Sequence, residues 1–251
     1  MIRFIQNPNL PNGKVKTIIC GELCEELNCY FDSVGIERIT IIPNDYIDSA
    51  VRYHADMAAI HLGGRKVILD KMQINLGKVL AENEFDIHFT EREIKGEYPG
   101  DIALNFTILG NDIYGKIDCA DDALLKLSSN LSKDNVKQGY CKCSCLIVSE
   151  KAVITDDESI YKVLVKNAVD SLLVSKGDIV LCGHEYGFIG GASGKISESE
   201  VLFFGDITKH CDYKKIADFI EKHGCKIISL DFPLTDFGGI IPLTEECEVL
   251  V

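Results

Sequence analysis

The chain has 251 residues, 46% of them hydrophobic, and a formal net charge of −13. That much acid argues against nucleic acid or an anionic membrane as a main partner, since both need a basic face. No run reaches the roughly 18 apolar residues of a membrane span. Eleven cysteines are scattered without the spacing of a small disulfide framework. Met1 to Pro8 offers neither an apolar stretch nor a small-residue cleavage site, so a cytoplasmic protein with reduced thiols is expected.

The elements follow in order. Lys16 to Cys20 reads as a strand, and Leu23, Leu27, Tyr30, Phe31 and Val34 recur at helical spacing. Gly35 stops that helix, and Ile36 to Pro43 forms a strand rich in β-branched residues. Tyr53-His54-Ala55-Asp56 opens a second unit. It continues as an apolar run, a Gly63-Gly64 turn, a strand Lys66 to Leu69, a helix with Leu76, Val79 and Leu80 inward, and Phe85 to Phe89. A third unit runs from Tyr98-Pro99-Gly100-Asp101 through Leu109 to a strand at Asp112 to Tyr114 and a helix with Leu124, Leu127 and Leu131. Ser132 to Gly139 is polar and expected as a loop.

The fourth unit begins with Tyr140-Cys141-Lys142-Cys143-Ser144-Cys145. Its helix is read from Tyr161, Leu164, Val165, Ala168 and Leu172, and Asp178 to Leu181 is read as the strand that follows. The fifth holds the glycine-rich Gly187 to Gly194, a strand Val201 to Phe204, a helix with Ile216, Phe219 and Ile220, and Lys226 to Leu230. Asp236 to Leu243 and a last strand, Glu248 to Val251, look like the missing opening of the first unit. Five helices at intervals of about 35 to 55 residues, each between strands, describe a repeat. No Pro/Gly/Ser-rich linker separates the units, so residues 1–251 are read as one domain. One unit cannot bury both faces of its sheet, whereas units stacked about an axis can, with the C-terminal strand closing a ring.

Several residue types carry chemistry. In an extended segment His54 and Asp56 share one side, because side chains alternate, and a carboxylate beside an imidazole suits it for acid–base work. A hydrogen-bonded turn at the mouth of a sheet is the plainer reading. Alternation also puts Cys141, Cys143 and Cys145 on one face, as small buried packing residues, as an activated nucleophile, or as soft-metal ligands. Same-face neighbours about 6 to 7 Å apart are wide for a zinc site, and no second C-x-x-C completes one, so no metal is expected. His184-Glu185 opens like H-E-x-x-H but ends on Phe188. Gly190 to Lys195 departs from a phosphate-binding loop at Ile189 and Ile196. No cofactor is expected. Asp101 and Asp236 add carboxylates to a pocket or cap turns.

The five-unit pattern resembles the pentein fold, the five-bladed α/β propeller of the guanidine-modifying enzymes, over nearly the whole chain. More closely, the chain resembles an uncharacterised bacterial family within that superfamily. His54-Ala55-Asp56 resembles the H-x-D/E motif, whose histidine serves as acid/base and whose carboxylate holds guanidinium. Tyr53 to Asp56 also resembles the early F-x-R-D segment, with Ala55 where arginine stands. Gly238-Gly239-Ile240-Ile241-Pro242 resembles an end of the form G-G-I-H-C, with proline where the catalytic cysteine stands.

The resemblance implies an α/β propeller with pseudo-fivefold repeats and helices outside. It also implies an axial pocket for a small guanidino or amide-like ligand. His54, Asp56, Cys143 and His184 are the catalytic candidates, with Cys143 replacing the thiol lost at Pro242. Asp56, Asp101, Asn105, Asp236, Gly238 and Gly239 are the ligand-binding candidates. A hydrolase or amidinotransferase is one reading. A non-catalytic pentein that binds a protein or small-molecule partner is the other.

Overall fold

The computed structural model describes residues 1–247. In chain order the elements are β1 (Ile2–Phe4), β2 (Lys14–Cys20), α1 (Glu25–Val34) and β3 (Glu37–Thr40), then α2 (Ala55–Ala58), β4 (Ala59–His61), β5 (Lys66–Leu69), α3 (Ile74–Glu82) and β6 (Asp86–Phe89). There follow β7 (Thr107–Leu109), β8 (Asp112–Gly115), α4 (Asp122–Leu127) and β9 (Ser132–Asn135), then β10 (Cys145–Ser149), β11 (Ala152–Thr155), α5 (Glu158–Lys166) and β12 (Asp170–Leu173). The last set is β13 (Ser193–Ser197), β14 (Glu200–Phe203), α6 (Tyr213–Lys222), β15 (Lys226–Ile228) and β16 (Ile240–Glu246).

These form five small sheets with one plan. An inner strand pairs antiparallel with a middle strand, and a helical crossover returns the chain to a parallel outer strand, as in β4-β5-β6. A parallel neighbour needs such a crossover, because a tight turn only reverses direction. The first sheet takes its inner strand from the far end of the chain: β16 lies between β1 and β2. Inner strands of successive sheets lie side by side, β10 by β13 and β13 by β16. The result is a five-bladed α/β propeller.

The longer helices turn one stripe inward, such as Leu27 and Phe31 of α1 or Ile216, Phe219 and Ile220 of α6, while the single turn of α2 is buried throughout. Gly35 ends α1 with φ +69°, the left-handed region that glycine enters without strain. No helix among the described residues is long and apolar enough to cross a membrane.

Some elements differ from expectation. Ser132 to Asn135 is the outer strand β9, parallel to β8. Its polar sequence follows from its exposure, three of its four residues being exposed. The outer strand of the fourth blade is β12, which contains Leu172, while Asp178 to Leu181 contributes only a bridge from Val180 to Thr235. Val79 and Val165 face solvent at 41% and 50% exposure. The strand expected over residues 248–251 lies outside the described residues, and β16 itself performs the closure. Pro242 sits inside β16 at a register shift, where a residue without an N–H fits a sheet interior.

One buried acid makes stability depend on pH. Asp156 accepts from Ile189 N at 3.1 Å through Oδ2, while Oδ1 has no partner. Burial pushes its pKa up to about 7. The folded state therefore holds a proton that the unfolded state releases, and stability falls as pH rises from about 4 to about 7. Asp156→Asn is expected to unfold at the same urea concentration as wild type at pH 4, and to be more stable at pH 8 by about 1–3 kcal/mol. Parallel pH profiles for the two proteins would assign the dependence to another group.

Candidate functional site

The five inner strands place five equivalent residues around the axis. The residue two before each strand is Met57, Asn105, Cys143, Gly191 or Gly238. Contacts run around this ring: Asn105 Nδ2 lies 3.3 Å from Met57 Sδ and 3.1 Å from Cys143 Sγ. Gly191 N donates to Cys143 O at 3.0 Å, and Gly239 N donates to Gly191 O at 2.8 Å.

Cys143 is held by a turn. Ser144 N donates to Tyr140 O, Cys145 N to Lys142 O, and Asn105 Oδ1 accepts from the amides of Lys142 and Cys143 at 2.8 and 3.3 Å. The expected alternation of three thiols on one strand face is therefore corrected, since the strand starts only at Cys145. Cys141 and Cys145 pack in the blade interior, where Cys141 Sγ lies 3.7 Å from Thr107 Oγ1. Cys143 alone of the three reaches the axial cavity.

His54 and Asp56 also come together by a route other than an extended segment. His54 precedes α2 and Asp56 lies within its single turn. The helical turn directs Asp56 Oδ2 to within 2.9 Å of Cys143 Sγ. His54 Nδ1 lies 3.7 Å from Asp236 Oδ1. Donor atoms of His54, Asp56 and Cys143 all lie within 4.8 Å of one another. His54 Nδ1 and Asp56 Oδ1 are buried without partners.

Asp236 is fixed by two amides: Phe188 N donates to Oδ2 and Gly238 N to Oδ1, both at 2.9 Å. Its carboxylate occupies the space where a Gly191 side chain would stand, a Cβ there falling 1.9 Å from Oδ1. Gly238, at φ +78°, lets its backbone lie against His54; a Cβ would come within 2.3 Å of the histidine Cβ.

Electrostatics keep the thiol protonated. Burial, then the carboxylates of Asp56 and Asp236, push the Cys143 pKa well up. This corrects the expectation of a thiol activated at rest by a positive neighbour. Burial likewise raises the Asp56 pKa, opposed by His54, Lys142 and the Cys143 thiol. Lys142 is itself buried and lines small spaces on the far side of the axis, together with Asn9 and Pro242. Pro242 thus lines a space with Lys142 and not the cavity.

The cavity measures about 310 Å³. His54, Cys143 and Asp236 line it with Tyr140, Phe188, Val51 and Leu181, and with Asp48, His184, Glu185 and Tyr186. His184 is exposed and pairs with Asp48 at 3.2 Å, so it stands apart from the buried cluster. Asp101 does not line the cavity; its Oδ2 accepts from Tyr140 OH at 2.7 Å and so steadies the phenol that does. Gly238 and Gly239 support the site from behind. Asp48, Val51, Tyr140, Tyr186 and Phe188 were not foreseen. Only Phe188 had a signal, its place in the glycine-rich run.

Five blades around an axis give the pentein fold, and here the axis gathers a histidine, two carboxylates and a thiol. The chain belongs to the family of unknown function DUF6873, whose model matches residues 18–241. Among solved structures it is similar to the amidinotransferase of Microseira wollei in the saxitoxin biosynthetic pathway, at 11% identity and TM-score 0.61, covering 96% of each chain. It is also similar to the inosamine-phosphate amidinotransferase of Streptomyces griseus (10% identity, TM-score 0.59, 96% of each chain). The agmatine deiminase of C. jejuni matches at 12% identity and TM-score 0.53, over 92% of this chain and 90% of that one. A search of the curated proteins finds no significant match.

Proposed function

We propose that the protein acts on the central carbon of a small guanidino compound, with Cys143 as nucleophile. The observation that carries this is the Cys143 Sγ to Asp56 Oδ2 contact at 2.9 Å, beside His54 at the base of the cavity. A guanidinium arriving against Asp56 and Asp236 offsets the carboxylates that hold the thiol proton in place. Sγ then attacks the guanidino carbon as its proton passes to Asp56 Oδ2 and, by way of His54, to the departing nitrogen. A C–S bond forms and a C–N bond breaks. Water or an amine next attacks the thiouronium carbon, breaking C–S and restoring the thiol. Water makes a hydrolase and an amine makes an amidinotransferase.

Incubation with chloroacetamidine followed by peptide mapping tests this, since the reagent mimics the cationic head and alkylates the thiol it docks against. Labelling is expected at Cys143, with protection by methylguanidine. Labelling confined to the exposed Cys29, Cys182 and Cys211 would overturn it. A second reading, a non-catalytic guanidino-binding pentein, is favoured by Pro242 in place of the family cysteine. It requires methylguanidine to bind while Cys143 stays unlabelled.

A further inference from the structure

We propose that the ligand is a short dication, with a planar guanidino head at the base, an ammonium at the mouth and no carboxylate. This rests on the guanidino reading above and adds what the outer half of the cavity selects. The base presents Asp236, Cys143 and His54, whose Nδ1 is buried without a partner; Asp56, with Oδ1 also unpartnered, stands behind the Cys143 thiol, 2.9 Å from Sγ. A planar cation with several N–H donors satisfies carboxylates of this kind well. The walls above them, Val51 and Leu181 among others, match an alkyl spacer.

The mouth is formed by Glu185 and by Asp48, which pairs with His184 at 3.2 Å, with the ring of Tyr186; it carries two carboxylates and one imidazole. No lysine or arginine lines the cavity. Lys176 stands nearby but sits over the Tyr186 ring, 5.3 Å from its centroid, with Nζ 3.5 Å from the phenol oxygen. A ligand ending in a carboxylate therefore loses water and meets two like charges, an arrangement that rejects it. A ligand ending in an ammonium meets two carboxylates, which attract it. A volume of about 310 Å³ is at the lower end for small-molecule sites, so the spacer is short.

Titration calorimetry with three probes, aminobutylguanidine, butylguanidine and arginine, tests the inference. Aminobutylguanidine is expected to bind about tenfold more tightly than butylguanidine, and arginine more weakly than either. The advantage should shrink as salt rises, because the mouth is solvent-exposed. In the double variant Asp48→Asn, Glu185→Gln the affinity for aminobutylguanidine should fall to the level of butylguanidine. Equal binding of aminobutylguanidine and butylguanidine, or tighter binding of arginine, overturns the dication and leaves the guanidino reading standing. Failure of all three probes to bind overturns both.

Discussion

Asp56→Asn is expected to move two reactions of the same thiol in opposite directions. After burial, the Asp56 carboxylate is the largest influence holding the proton on Cys143. Asparagine keeps an acceptor facing Sγ but removes the charge, so the thiolate becomes easier to form. Alkylation of Cys143 by neutral iodoacetamide at pH 8 should rise about tenfold, the effect of one pKa unit. Labelling by cationic chloroacetamidine should fall about a hundredfold, because its head loses a charge-assisted hydrogen bond. Rates resolved by mass spectrometry on the Cys143 peptide would decide the matter. Two rates that fall together would mean that the variant disturbs the turn at residues 140–145, and the electrostatic account would fail.

Gly191→Ala should be among the most damaging small substitutions in the chain. Its Cβ would lie 1.9 Å from Asp236 Oδ1 and 2.4 Å from Cγ, so the carboxylate must leave. With it go the bonds from Phe188 N and Gly238 N. Overpacking plus two orphaned amides costs about 3–5 kcal/mol, a drop of roughly 6 to 20 °C in Tm for a chain of this size. Guanidino binding should be lost as well. Gly35→Ala is the comparison, since nothing lies within 4 Å of its Cβ and only the left-handed backbone resists, at about 1–2 kcal/mol. Equal melting of the two variants would show that Asp236 is not packed against Gly191.

How much of this was legible in the chain depends on which face of a blade is considered. Inner and middle strands, buried on both sides, show apolar runs such as Ile147 to Val148 and Val201 to Phe203, and the repeat stands out from them. Outer strands are half exposed and polar, so Ser132 to Asn135 reads as a loop. Cys143 and Asp56 were found, but by assumed alternation; a tight turn and a one-turn helix do the positioning. The blade equivalence that groups Cys143 with Asn105 and Gly191 needs strand starts to within a residue, which apolar periodicity does not supply. Asp48 and Tyr186 come from connections between blades, where no period exists to mark them. Asp101 was misplaced because its preference for Tyr140 is a matter of tertiary packing.

The placement of β16 bears on how the molecule assembles. Its register joins Glu246 to Ile2 on one side and Ile240 to Cys20 on the other, so the ring shuts through contacts some 220 to 244 residues apart. Loop-closure entropy grows only logarithmically, and closing such a span costs only about 1–2 kcal/mol more than closing one blade. The burden falls on rate, since pairings this distant are slow to find. Until β16 docks, β2 presents a free edge able to pair with another chain. Asp236 and Gly238 lie just ahead of β16, so the cavity completes only as the ring shuts. A partly folded chain therefore holds no competent site, and a ligand that binds the cavity favours the closed ring by mass action.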